Sequence, residues 1–165
     1  MKAVVQRVRY AHVTIDGVKT AAIGAGLLVL FGVKEGDTEA DCDAVSAKLP
    51  KLRIFSDADD KMNLSVADIG GEVLAVSNFT LCAETRRGNR PDFFSAARPE
   101  TAEPLYERAV ASLRSALGED RVKTGVFGAD MKIELLNDGP VTLILDSAEL
   151  TAPKNRKPEG GGKTS

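Results

Sequence analysis

The chain has little of what hydrolytic and metal sites are usually made from. Among 165 residues there is one histidine, His12, so a Ser-His or Cys-His pair or a His-rich metal site would have to hang on that side chain alone. No Cys, Asp and Ser constellation lies near it in sequence, and a structural or surface role is expected. Cysteine is almost as scarce. Cys42 and Cys82 are far apart, which gives neither a disulfide framework nor a CxxC metal knuckle, and ordinary reduced thiols are expected. Long apolar runs are missing too: Leu27 to Phe31 with its neighbours falls well short of a bilayer span. The first residues enter a strand-like pattern with no apolar signal region or small-residue cleavage site, so the cytoplasm is the expected compartment. A net charge of −2 does not advertise a nucleic-acid binder and does not exclude one, since gripping only the end of an RNA needs a local patch rather than a basic surface. There is no internal repeat.

What is present is the composition of a soluble globular protein, 43% hydrophobic and 28% charged, at a length suited to one domain. Val4 to Arg9 roughly alternates, and Val13-Thr14-Ile15 runs into Asp16-Gly17, a strong hairpin signal, before Val18 to Ile23 returns. Leu27 to Val33 reads as a central strand buried on both faces. Thr38 caps a helix with Cys42, Val45 and Leu49 on one face, closed by Pro50. Short strands are expected at Leu52 to Phe55, Glu72 to Thr80 and Val122 to Phe127, with a longer one over Met131 to Asp146 interrupted by a Gly-Pro pair. Glu84 to Ala97 reads as a basic loop. Ala102, Leu105, Tyr106, Ala109, Val110, Leu113, Ala116 and Leu117 hold helical spacing and Gly118 stops that helix. The expected domain is residues 1–150, with 151–165 a disordered tail by composition. In that tail Gly160 to Thr164 imitates half a phosphate loop, but Lys157 stands where the first glycine is required.

Two runs carry chemistry. Ser77-Asn78-Phe79-Thr80-Leu81 puts hydroxyl and amide groups at the end of an apolar strand. Asn137-Asp138-Gly139-Pro140-Val141-Thr142 removes a ladder N–H at Pro140 and bares the backbone at Gly139, so a ligand can come close to the main chain. Each also has a plain reading, as β-sheet hydroxyls and as a tight turn between strands. Thr80 has no evident base, so its hydroxyl and the N–H groups of Phe79 and Thr80 suit an ester carbonyl and its oxyanion better than nucleophilic attack.

In order and position these runs resemble the two signature motifs of the D-aminoacyl-tRNA deacylase family, Ser-Gln-Phe-Thr and Asn-x-Gly-Pro-Val-Thr. The likeness also takes in Gln6-Arg7-Val8, Arg53 to Asp57, Lys61 to Leu64 and Arg90-Pro91, and reaches about Asp146. One departure stands out: Asn78 occupies the usual Gln position, with the same donor and acceptor on a side chain one methylene shorter. The resemblance implies a three-layer α/β/β fold, a single α/β domain of mostly antiparallel sheets with two main helices, paired into a homodimer. It implies a hydrolase that cleaves the ester between a D-amino acid, or glycine, and the terminal adenosine of tRNA, with no metal or organic cofactor. Ser77, Asn78, Phe79 and Thr80 are then the catalytic segment. It also implies that Gly139-Pro140 is cis and enters the partner subunit's pocket, with Asn137, Val141 and Thr142 beside it and Arg7 bracing it.

Arg7 otherwise reads as an edge charge. Phe127 and Met131 read as core or as a seat for the adenine, and Arg86, Arg87 and Arg90 as solvated charges or as contacts to tRNA phosphates. Two rival functions remain open at this stage: an editing module for another mischarged tRNA, and a non-catalytic binder of tRNA ends.

Overall fold

The computed structural model describes residues 1–153. Along it follow β1 (Lys2–Ile15), β2 (Val18–Ile23), β3 (Gly26–Gly32), α1 (Glu39–Lys48), β4 (Phe55–Ser56), β5 (Met62–Leu64), β6 (Glu72–Ser77), α2 (Pro99–Leu117), β7 (Val122–Thr124), β8 (Lys132–Asp146) and α3 (Ser147–Thr151). The opening hairpin turns at Asp16 and Gly17, both at positive φ (50° and 77°), the pair of left-handed residues that a two-residue turn needs to match strand twist. On one edge of β1, β3 pairs antiparallel with the first half and β2 with the second; β8 runs antiparallel along the other edge.

Pairing is mostly antiparallel, as expected, but the main sheet is mixed. β6 lies parallel to β3 and β7 parallel to β6. The reason is the crossovers. α1 with the β4–β5 hairpin joins β3 to β6, and α2 joins β6 to β7. A connection that crosses a face before re-entering the sheet brings in a parallel neighbour. Gly26 makes the β3–β6 approach possible, because a Cβ there would collide with the Glu72 backbone.

Two apolar clusters follow from strand alternation. Leu27, Val29, Phe31, Val73 and Ala75 face α1 and α2, meeting Cys42, Val45, Leu105, Ala109 and Leu113. Leu28, Leu74 and Val76 face the other way, onto Val8, Ala11, Val13 and Ile23, with Met131, Ile133 and Leu135 packed beside them. The second cluster is made of strands and their margins because the sheet curls until β2 also approaches β6 and β7.

The Asp41 carboxylate accepts from the Thr38 N–H (2.9 Å) and hydroxyl (2.8 Å) at the head of α1, and Pro99 occupies the first turn of α2. Asp41 is held near pKa 2, chiefly by that Thr38 N–H. Three strand boundaries differ from expectation. The segment from Leu52 yields only Phe55–Ser56, since a 3-10 turn over Leu49–Lys51 prolongs the end of α1. β7 stops at Thr124, where Gly125 leads into a turn closed by Ala129 N–H on the Val126 carbonyl (3.2 Å). β6 ends at Ser77 because Asn78 begins a 3-10 turn over Phe79–Cys82. β8 runs as one strand from Lys132 to Asp146, and its pairing with β1 breaks at the Gly-Pro pair, as expected, and resumes beyond it with a register shift. The proposed tail boundary also moves, since α3 includes Thr151, whose hydroxyl donates to the Ser147 carbonyl (2.8 Å). The remainder of that tail, with its half phosphate loop, lies outside the described residues. Among the described residues no helix is long and apolar enough to cross a membrane.

Candidate active site

A cavity of about 650 Å³ opens where β3 and β6 end, between the start of α2 and the turn that precedes β8. That is within the usual size range of a small-ligand site. Phe31, Ala102 and Tyr106 belong to its lining on the helical side, while Val76, Met131 and Ile133 come from the second cluster. The Tyr106 hydroxyl donates to the Ala75 carbonyl (2.9 Å), and burial pushes its pKa up to about 12, so it is a fixed neutral wall. Phe127 tilts against Tyr106, ring centroids 6.1 Å apart. Thus Phe127 and Met131 are both core residues and cavity walls.

The first motif sits at the mouth. Ser77, Asn78 and Phe79 line the cavity, and the Phe79 ring, 59% exposed, meets Phe93 edge-on at 5.2 Å. Asn78 explains why the strand stops here. Its Oδ1 accepts from the Thr80 N–H (3.1 Å) and from the Thr80 hydroxyl, an N-cap suited to the short Asn side chain. The Thr80 groups expected to face an oxyanion are therefore engaged by Asn78 in the free protein. Phe79 N–H, at the first position of the turn, has no intramolecular acceptor among the described residues. The titratable side chains of the lining are Tyr106 and Asp130, with Asp130 paired to Lys132 (2.7 Å). His12 is not part of it; it lies 3.9 Å from Glu134 on β8. Among the described residues no three His, Cys, Asp or Glu side chains gather to hold a metal.

The second motif is elsewhere. Between the pairs Gln6↔Thr142 and Val8↔Asn137, β8 spends extra residues in an excursion opposite Arg7, with Gly139 and Pro140 exposed and their peptide bond cis. Asn137 closes this excursion: its Nδ2 donates to the carbonyls of Arg7 and Val141, both at 3.0 Å. Arg7 donates from Nε to the Asp138 carbonyl (2.8 Å) and from Nη1 to the Ile54 carbonyl. Arg9 donates to the Asp138 carboxylate (3.1 Å) from the other side. A Cβ on Gly139 would meet Val141 N at 2.8 Å and Arg7 Nη2 at 2.9 Å, at a φ of 146° that L-residues avoid. Val141 packs against the first cluster, and Thr142 is exposed and accepts from Gln6 (3.2 Å).

The structure brings Ser77, Asn78, Phe79, Phe127 and Met131 to one cavity. None of residues 137–142 lines it, nor does Arg7. Arg86, Arg87 and Arg90 lie on an exposed loop tip beside the rim. Sequence reasoning missed Phe93, Tyr106 and Arg9. Phe93 and Tyr106 are hidden by their own apolar or helical context, whereas the spacing Arg7-x-Arg9 on an edge-like strand was a visible signal.

The fold and the cavity together define an α/β domain with a ligand-sized site whose polar mouth is a capped turn and bare backbone. The comparisons with known proteins make that specific. Residues 4–146 match the model of the D-Tyr-tRNA(Tyr) deacylase family, and the chain belongs to that family. It is similar to the D-aminoacyl-tRNA deacylases of Chlorobaculum parvum (57% identical, covering 89% of this chain and 98% of the relative) and Chloroflexus aurantiacus (54%, covering 93% and 95%). Among solved structures it resembles a c-Myc DNA unwinding element binding protein, at TM-score 0.84 and 42% identity over 88% of this chain and 98% of the other. A probable eukaryotic D-amino acid tRNA deacylase shares the fold, at TM-score 0.74 and 18% identity over 88% and 98%.

Proposed function

We propose that the protein hydrolyses the ester between a D-amino acid and the 3′-terminal adenosine of tRNA, and accepts glycine in the same way. The observation that carries this reading is the cavity bordered by Ser77, Asn78 and Phe79, with aromatic and thioether walls sized for an aminoacyl-adenosine. The adenine seats against Phe127 and Met131. Phe79 N–H meets the ester oxygen, and the Thr80 hydroxyl and N–H turn from Asn78 Oδ1 onto the oxyanion as it forms. With no histidine at hand, the ribose 2′-hydroxyl of the substrate assists the attacking water.

The working form is a homodimer with α/β/β layering in which Gly139-Pro140 of one copy closes the partner's cavity. Strand register supports this. Ile144, Val4, Leu30 and Val76 form one row across β8, β1, β3 and β6, from 70% exposed at Ile144 to 2% at Val76 on the cavity wall. A second copy laid on that row covers the exposed apolar end and carries its own excursion toward the cavity. Chiral selection then comes from a backbone wall: attraction for a small apolar group is worth only about 1–3 kcal/mol, while a collision rejects every L side chain whatever its chemistry. Glycine has no Cβ to collide.

The test is to incubate D- and L-Tyr-tRNA with the protein and follow ester loss, with sedimentation run in parallel. Loss of the D ester alone by a dimeric species is expected. Equal hydrolysis of both, or activity confined to a monomer, overturns the reading.

A further inference from the structure

The loop between the 3-10 turn and α2 holds an aromatic side chain that nothing in the fold uses. Glu84 and Asp92 exchange two backbone hydrogen bonds (2.9 and 3.1 Å), pinching residues 85–91 into a projecting tip. Past the pinch, Ala97 N–H donates to the Val33 carbonyl (3.0 Å) and Glu35 N–H to the Ser95 carbonyl (2.9 Å), so the loop is tied down at its far end. Phe93 turns inward to line the cavity and pack on Phe79. Phe94 is 92% exposed, and its N–H donates to the Asp92 carboxylate (3.3 Å). From Glu84 to Arg98 the segment holds four arginines against two carboxylates, in a chain whose net charge is −2. Arg86 is paired with Glu84 (3.0 Å), while Arg87 and Arg90 make no ion pair among the described residues.

We infer that Phe94 is a stacking platform for an unpaired base of the RNA strand just before its terminal nucleotide, with Arg87 and Arg90 on the neighbouring phosphates. A cavity of about 650 Å³ takes one aminoacyl-nucleoside, so the strand behind it must leave over the rim. Next in sequence to the lining residue Phe93, Phe94 presents the most exposed aromatic ring, 92% against 59% at Phe79, on the same loop as two guanidinium groups without ion pairs, the combination that holds single strands without reading sequence. A hydrophobic ring this exposed contributes nothing to folding, whereas an RNA base covers it and the arginines favour a polyanion over an apolar protein partner. The inference rests on the proposed function for the direction of the strand, but binding at the loop is measurable without turnover.

The experiment is fluorescence anisotropy with a labelled, uncharged RNA hairpin bearing an unpaired 3′ overhang, and a blunt hairpin as the control. Phe94→Ala is expected to weaken overhang binding about tenfold or more, Phe94→Trp to restore it, and Arg87→Gln with Arg90→Gln to flatten its salt dependence. For the blunt hairpin the Phe94→Ala effect should vanish. Unchanged overhang affinity in Phe94→Ala overturns the inference. So does a shift of Phe94→Ala from dimer to monomer in sedimentation, which would assign the ring to a protein interface. If overhang binding depends on Phe94 while no aminoacyl ester is cleaved, the proposed function fails and the platform stands.

Discussion

At the cavity mouth Asn78 reaches two positions along the chain to hold Thr80; at the excursion Arg7 reaches across 131 positions to hold Asp138. The first region is a local device, a capped turn that any segment of that sequence tends to form. The second exists only because β1 and β8 lie side by side and because Arg7, Arg9 and Asn137 all spend donors on it. Under the proposed function that difference suits them to different duties. A local turn can flex to pass its donors to a substrate, whereas an excursion braced from three sides is rigid enough to act as a wall.

Measurements can undo this division between turn and excursion. The largest effect concerns the wall itself: about a thousandfold preference for D- over L-Tyr-tRNA, close to 4 kcal/mol, is expected from competition kinetics. Arg7→Ala removes two charge-assisted bonds worth about 1.5–3 kcal/mol each and should lower that preference at least tenfold, read as the ratio of kcat/KM values. A preference unchanged in Arg7→Ala would mean the excursion does not need its brace. Thr80→Ala comes next. Losing an oxyanion donor should cost about 2.7–4 kcal/mol in turnover with D/L preference intact, and capture of an acyl-Thr80 species in single-turnover quench would refute the assignment.

Asn78→Ala removes an N-cap and should cost about 1 kcal/mol of stability by denaturant titration. Asn78→Gln keeps the amide but lengthens its reach, so it should recover turnover to a larger extent than stability. The smallest effect is a control from a third capped segment. Asp41 is depressed from 3.8 to about 2, so the folded state gains stability from it above the unfolded pKa and loses that gain as pH falls from about 4 to 2. Asp41→Asn should flatten the acid limb of a Tm-against-pH curve in that window and leave D/L preference where it was.

Much of the fold was readable in advance where its cause is local. Thr38, Gly118 and Asp16-Gly17 each state their geometry within one turn of chain. The strand ends were not. Glu72 to Thr80 reads as one strand because Val, Ala and Phe favour β structure, yet Asn78 claims the Thr80 N–H and ends it three residues early. In the site, Ser77, Asn78 and Phe79 were legible from their motif. Phe93 and Tyr106 were not, because an aromatic on a loop or on an amphipathic helix carries no mark of the cavity it lines.

Local chain chemistry is enough to specify α1, α2, the opening hairpin, the central strand and the two polar runs, since periodicity, caps and turn residues act over a few positions. Long-range packing decided that β6 and β7 run parallel to β3, that the sheet curls around a second core, and that Arg7 and Asn137 fasten the Gly-Pro excursion. It also decided that this excursion stands apart from its own chain's cavity. The physical reason is range: local preferences select a conformation for each segment, but pairing between residues more than a hundred positions apart is chosen by whichever arrangement buries both apolar faces and satisfies every backbone group at once.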